Sequence, residues 1–323
     1  MPGGLLALIL RRLAMGVPLI LLIIVLTFGL TRITGDPALL LAGDAPTPEF
    51  LAQIRAAYDL DKPIAWQLVT YVTRAVQGDL GTSIYFGVPV TPLILQFFPV
   101  TLLLTSLSMF CASVIGIALG VVAADRRDTG IDTAVSVASL VGFSIPVFWL
   151  GQLLVLLFAV TLDILPAGGL TSARDAYQGI DHWLDVARHL VLPVTTLMLF
   201  ELGMVARFTR TAMVEALGKD YVTVAYAKGA THGRVLWRHA LPNALVTSVT
   251  VIGLEFGVLL AGAVVTEIIF GLPGFGRLFF DSVFRRDFQL MTGCFIFASI
   301  AVIAVNIATD IIVAALDPRT ARQ

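Results

Sequence analysis

Four carboxylic acids sit inside long apolar stretches of this 323-residue chain: Glu201, Glu255, Glu267 and Asp310. A carboxylate is costly in hydrocarbon, so such residues mark a polar path or hold a partner within a bundle. Glu255 lies deepest and is the stronger candidate for lining a path. Glu267 precedes the turn Pro273-Gly274-Phe275-Gly276 and is placed either to order it by hydrogen bonds or to shape a gate. Phe275, carried by a rigid turn with two flexible glycines, is the residue expected to plug that gate. Asp310 has Asn306 one turn earlier on the same face, and either pairs within the bundle or faces water. Glu201 is expected to pair with a neighbouring segment.

Other chemistry is poorly supplied. None of the four histidines shows metal-ligand spacing, and no Ser-His or paired-Asp arrangement falls within the apolar stretches. Cys111 and Cys294 lie far apart in apolar surroundings and read as small core hydrophobes, without redox or zinc spacing. There is no G-x-x-x-x-G-K-[ST] phosphate loop. Composition points to lipid as the solvent. Hydrophobic residues make up 58% and charged residues 13%, with a mean hydropathy of +0.92. Soluble domains carry about 25% charged residues. A net charge of −1 gives no basic surface for nucleic acid.

A helix needs about 20 mostly apolar residues to cross a bilayer. Six segments meet this, predicting an all-α polytopic membrane protein: Leu13 to Thr31, then runs within Phe97–Ala124, Thr133–Leu162, Leu190–Ala206, Ala244–Phe270 and Phe288–Leu316. Pro146, flanked by Gly142 and Gly151, is expected to kink the third. The first reads as a retained anchor, because no A-x-A cleavage site follows it. With the N-terminus inside, the inner segments hold twelve Lys/Arg and six acids, against nine and twelve in the outer loops. That asymmetry places both termini in the cytoplasm. The chain is expected to form one transmembrane domain, 1–323, with an extracytoplasmic insert at 32–96 and a long cytoplasmic loop at 209–242. Within the insert, Glu49 to Tyr58 and Ile64 to Val76 read as short helices, the second stopped at Gly78.

The cytoplasmic loop carries clear helix punctuation. Gly218 is expected to stop one helix in the left-handed conformation, Asp220 to cap Tyr221–Lys228, and Thr231 to cap His232–Leu241. Gly229 would then form the corner of a projection below the membrane. Ala225, Ala227 and Ala230 would admit close approach by another protein. The alternative is an interfacial helix lying on anionic lipid through Lys219, Lys228, Arg234 and Arg238.

Here the sequence resembles permeases of ABC importers. Their cytoplasmic E-A-A motif is matched at Ala225, Gly229, Leu241 and Pro242, while Thr223, Val224 and His239 depart from it. The stretch Asp220-Tyr221-Val222-Thr223-Val224-Ala225-Tyr226-Ala227-Lys228-Gly229 fits the peptide-importer form. Resemblance to the first permease of dipeptide, oligopeptide and nickel importers covers nearly the whole chain, with the dipeptide branch nearest. It includes Gly35-Asp36-Pro37, Gly78-Asp79-Leu80-Gly81-Thr82-Ser83, Gly142 to Trp149, Pro273 to Gly276, Arg286-Asp287 and Asp317-Pro318-Arg319.

The resemblance implies a type I importer permease, working with a second related permease, two ATPase subunits, an extracytoplasmic solute-binding protein and the bilayer. ATP and Mg would belong to the ATPases; the chain itself is expected to bind no cofactor and to catalyse nothing. Docking of ATPases falls to Asp220, Tyr221, Ala225, Ala227, Lys228, Gly229, Leu241 and Pro242. Path or gate roles fall to Glu255, Glu267, Pro273, Gly274, Phe275, Gly276 and Asp310. On this reading, valine at both Gly274 and Gly276 spares assembly and impairs transport. Nickel or glutathione as cargo, a secondary transporter and an intramembrane enzyme are the competing readings. Absent repeats count against the secondary transporter, and the absent catalytic groups against the enzyme.

Overall fold

The computed structural model describes residues 2–33, 38, 47–57, 60–172 and 177–317. Gly35-Asp36-Pro37, Tyr58 and Pro318-Arg319 lie outside them. Among the described residues the chain is helical, apart from turns and one isolated bridge between Thr82 and Pro89. Helix is what apolar runs of this length require, since hydrocarbon leaves backbone polar groups no outside partner.

The first span is α1, Pro2–Ile33. Two short helices of the insert follow, α2 (Pro48–Ala57) and α3 (Ile64–Val76), with Gly78 left-handed at φ 83° just beyond. The second span is α4, Val90–Asp125. The third is broken: α5 (Gly130–Ser144) and α6 (Val147–Leu154), continued by a π-helical turn Val155–Thr161, meet at 96°. The expected kink is therefore a corner. Pro146 lacks an N–H and pushes Ile145 into an extended conformation, so the ladder cannot carry through. Among the described residues, five helices are long and apolar enough to cross a membrane, and the bent pair makes up to six.

The fourth span, α7, runs Ile180–Leu217, extending the expected Leu190–Ala206 at both ends. It packs along α4 in the broadest helix pair of the bundle. Small residues permit this approach, the usual device between helices in lipid. A Cβ on Gly116 would fall 2.9 Å from Val205, and one on Gly120 2.7 Å from the Ala206 carbonyl. After α7 come α8 (Asp220–Ala227) and α9 (His232–Arg234); a π-helical turn, Val235–Ala240, then runs into α10 (Leu241–Ala261). Thus the segment after Thr231 is no separate helix but the foot of the fifth span. That span ends earlier than expected, at Gly262, and Val264–Ile269 forms a separate short helix, α11. Finally α12 (Phe275–Phe284) leads to α13, Phe288–Leu316.

Candidate functional site

Two groups of expected functional residues lie at opposite ends of the bundle. The first centres on Glu267 of α11, which is fully buried. Its Oε1 accepts the Thr101 hydroxyl of α4 at 2.5 Å, and its Oε2 accepts the Arg277 N–H at 2.8 Å. The Gly276 N–H donates to the same carboxylate. Thr101 is shared, because its oxygen also accepts the Phe275 N–H at 2.7 Å. One carboxylate thus binds the first turn of α12 to the N-terminal third of α4, using N–H groups that a helix start leaves unpaired.

Gly274 and Gly276 are small because this knot leaves no room. A Cβ on Gly274 would occupy the Glu267 carboxyl itself, and one on Gly276 would sit 2.9 Å from the Val264 nitrogen. The expectation that valine at these positions spares assembly is therefore reversed. Phe275 is 1% exposed and packs on Phe98 and Phe297, within a cluster that includes Ile24, Leu80, Val90 and Leu290. It stands in the core of this chain. Pro273 alone of the turn is exposed.

A second buried acid near that end, Asp287, was legible only as part of a family signature. It caps α13, its Oδ1 accepting the Leu290 N–H at 3.0 Å. Its Oδ2 accepts the Ser83 hydroxyl at 2.5 Å and the Tyr85 N–H at 3.0 Å. Two signatures 204 residues apart, one ending at Ser83 and the other at Asp287, therefore meet as a single contact.

At the opposite end stands the projection. Gly229 has φ +79°, with nothing within 4 Å of where its Cβ would be, so its need is conformational and not steric within this chain. Gly218 stays right-handed at φ −82°, and Lys219, not Asp220, holds the cap position of α8. Ala225 faces inward, packing with Val222 and Val235 as a small core; Ala227, Lys228 and Pro242 are exposed, and Leu241 is half-buried. Lys219 is held by Glu215 at 2.9 Å, and this hydrogen bond raises its pKa above the ordinary lysine value.

Sequence reasoning missed how the projection is fixed. The Tyr226 hydroxyl lies 2.7 Å from His232 Nδ1, and His232 Nε2 lies 2.5 Å from Asp125 Oδ1 at the foot of α4. Tyr221, whose pKa is raised by partial burial, also shares a hydrogen bond with Asn243 in the first turn of α10. Both arms of the corner are pinned to spans. No spacing rule signals a contact between residues 107 positions apart.

The remaining acids separate. Asp310 of α13 pairs with Arg12 of α1, Oδ2 to Nε at 2.6 Å, which resolves its expected role toward pairing within the bundle. Glu201 is 2% exposed, and its Oε2 has no hydrogen-bond partner among the described residues. The expected pairing with a neighbouring segment is not seen among the described residues; instead Glu201 lies within electrostatic reach of Glu255, which is half-buried on α10.

Residues 116–322 match the family described as binding-protein-dependent transport system inner membrane component, and residues 5–105 match its N-terminal counterpart. The chain belongs to that family. Among its relatives, a putative peptide transport system permease protein of Brucella abortus (strain 2308) is 41% identical over 97% of this chain and 98% of that protein. The dipeptide transport system permease protein DppB of Escherichia coli (strain K12) is 38% identical over 96% and 97%. In fold, the permease resembles a chain of the MetNI methionine ABC transporter in an inward-facing conformation, with TM-score 0.54 and 21% identity over 69% of this chain and 96% of that one. Its expected type I importer architecture is thereby confirmed.

Proposed function

We propose that this permease forms half of the translocation path of an ATP-driven importer for short peptides, and that ATPase subunits dock on the Asp220–Leu241 projection. The observation that carries the cargo class is likeness along the full length, insert included, to relatives named for peptide transport. Docking is supported by the pinned corner. A contact that converts ATPase closure into movement of spans must be stiff, and this one has its own small core and ties to both α4 and α10.

In this reading a second permease completes the path, two ATPases supply ATP chemistry with Mg, and a solute-binding protein delivers cargo on the far side. The projection and both termini then face the cytoplasm, as the charge asymmetry requires. Glu255 lines the path, while Glu267 and the turn after it hold the opposite end in shape. The test is uptake by the assembled transporter in proteoliposomes, with its binding protein and labelled dipeptide, nickel or glutathione offered in turn. ATP-dependent dipeptide uptake is expected. Uptake of nickel or glutathione without peptide would reassign the cargo, and uptake without ATPases would reassign the class.

A further inference from the structure

A crease of about 780 Å³ runs between α5 and α7, and its lining holds none of the residues assigned above to docking, path or gate. At one end the Asp132 carboxylate takes a two-pronged bond from Arg210, the second prong 2.6 Å long. At the other, Phe143 and Phe200 stack at 5.4 Å. Eleven residues separate Asp132 from Phe143, so the crease is about 16 Å long at helical rise. Its walls are apolar: Leu140, Phe143 and Phe208 are 59%, 48% and 42% exposed, with Met204 between the helices.

Charge decides what fits. Asp132 lies in the first turn of α5, so the Asp132–Arg210 bridge marks the level where the bundle leaves hydrocarbon. Arg207 lies one turn deeper, lines the crease and is exposed. It has no ion-pair partner among the described residues, and Asp132 is already engaged by Arg210. A long cationic side chain at this depth reaches back to the interface. The crease thus offers an uncompensated guanidinium at the headgroup level, above a greasy slot the length of an acyl chain.

We infer that this crease binds one anionic phospholipid, with Arg207 on the headgroup phosphate and an acyl chain lying between α5 and α7 against Leu140 and Phe208. The inference holds whatever the cargo. It is tested on the assembled transporter, equilibrated with vesicles of equal phosphatidylglycerol and phosphatidylcholine, then purified and assayed for retained lipid by native mass spectrometry. Wild type is expected to retain phosphatidylglycerol preferentially. Arg207→Gln is expected to lower that retention roughly five-fold, the value of one interfacial cation, and to leave phosphatidylcholine unchanged. Ser136→Trp, filling the crease, is expected to lower both, and Arg74→Gln, exposed on α3 and outside it, to change neither. If Ser136→Trp does not assemble, Leu140→Trp replaces it. Equal retention of the two lipids by wild type, or unchanged retention by Arg207→Gln, would overturn the inference. So would efficient disulfide formation between Ser136→Cys and a cysteine in the second permease, which would give the crease to that subunit.

Discussion

The Glu267 knot and the Asp220–Leu241 projection both depend on a glycine corner, yet they solve opposite problems. At the knot, a fully buried carboxylate meets a hydroxyl and two backbone N–H groups, and the glycines exist so that no atom intervenes. At the projection, Gly229 has empty space around it and the fixing bonds lie at the surface, with His232 61% exposed. Buried polar groups are expensive to orphan, whereas exposed ones regain water when a partner is lost. The knot is therefore built to stay as it is. The projection is stiff but open, as a surface awaiting another protein should be.

Glu267→Ala should test that contrast most severely. It strips partners from Thr101, Gly276 and Arg277 within a dry region, at a cost of about 4 kcal/mol. A sharply lowered unfolding temperature in detergent is expected, with partial recovery in Glu267→Gln. Wild-type stability of the alanine variant would mean the knot is ornamental. Gly274→Val should follow closely, since its side chain displaces the carboxyl. The permease is expected to be lost from the membrane along with transport, and normal protein levels with impaired uptake would restore the gate reading.

Gly229→Leu should act differently. Forcing a branched residue to φ +79° costs about 1–2 kcal/mol locally, which a spacious site can absorb. Membrane insertion should survive, while ATPase subunits recovered by pull-down fall several-fold and hydrolysis uncouples from uptake. Combined Lys219→Gln and Arg234→Gln should do less. If that ranking inverts, the projection lies on lipid.

His232→Ala and Asp125→Asn each remove a surface hydrogen bond worth about 1 kcal/mol. Amide exchange across Val222–Gly229 should quicken roughly five-fold on that scale, and the ratio of transport to hydrolysis should drop. Unchanged exchange would show that the small core alone holds the corner. The least effect is expected from Arg12→Gln. Its pair with Asp310 is 47% exposed on the arginine side, and such pairs contribute about 0–1 kcal/mol. A loss of assembly there would make the α1–α13 tie far more important than its exposure suggests.

Local rules sufficed wherever the cause was local. Apolar runs require helices in lipid, so the existence of the spans, Ile64–Val76 and the Gly229 corner were all legible in residue order. Boundaries were less so. The fifth span stops at Gly262 because the chain turns back to build α11, and α7 outgrows its apolar stretch because α4 packs along it. Caps misled at Gly218 and Asp220, where the turn uses neither a left-handed residue nor a side-chain cap, and Lys219 instead bonds back to Glu215 across it. The site divides in the same way. Glu267 and Asp310 announce themselves as charges in apolar sequence, but sequence cannot name their partners. Thr101, Arg12, Ser83 with Asp287, and Asp125 with His232 are brought together only by packing across 100 residues or more. Whether a buried acid is a knot, a tie or an unpaired charge depends on which donors the tertiary fold delivers, because burial makes the donor, not the acid, decide the energy.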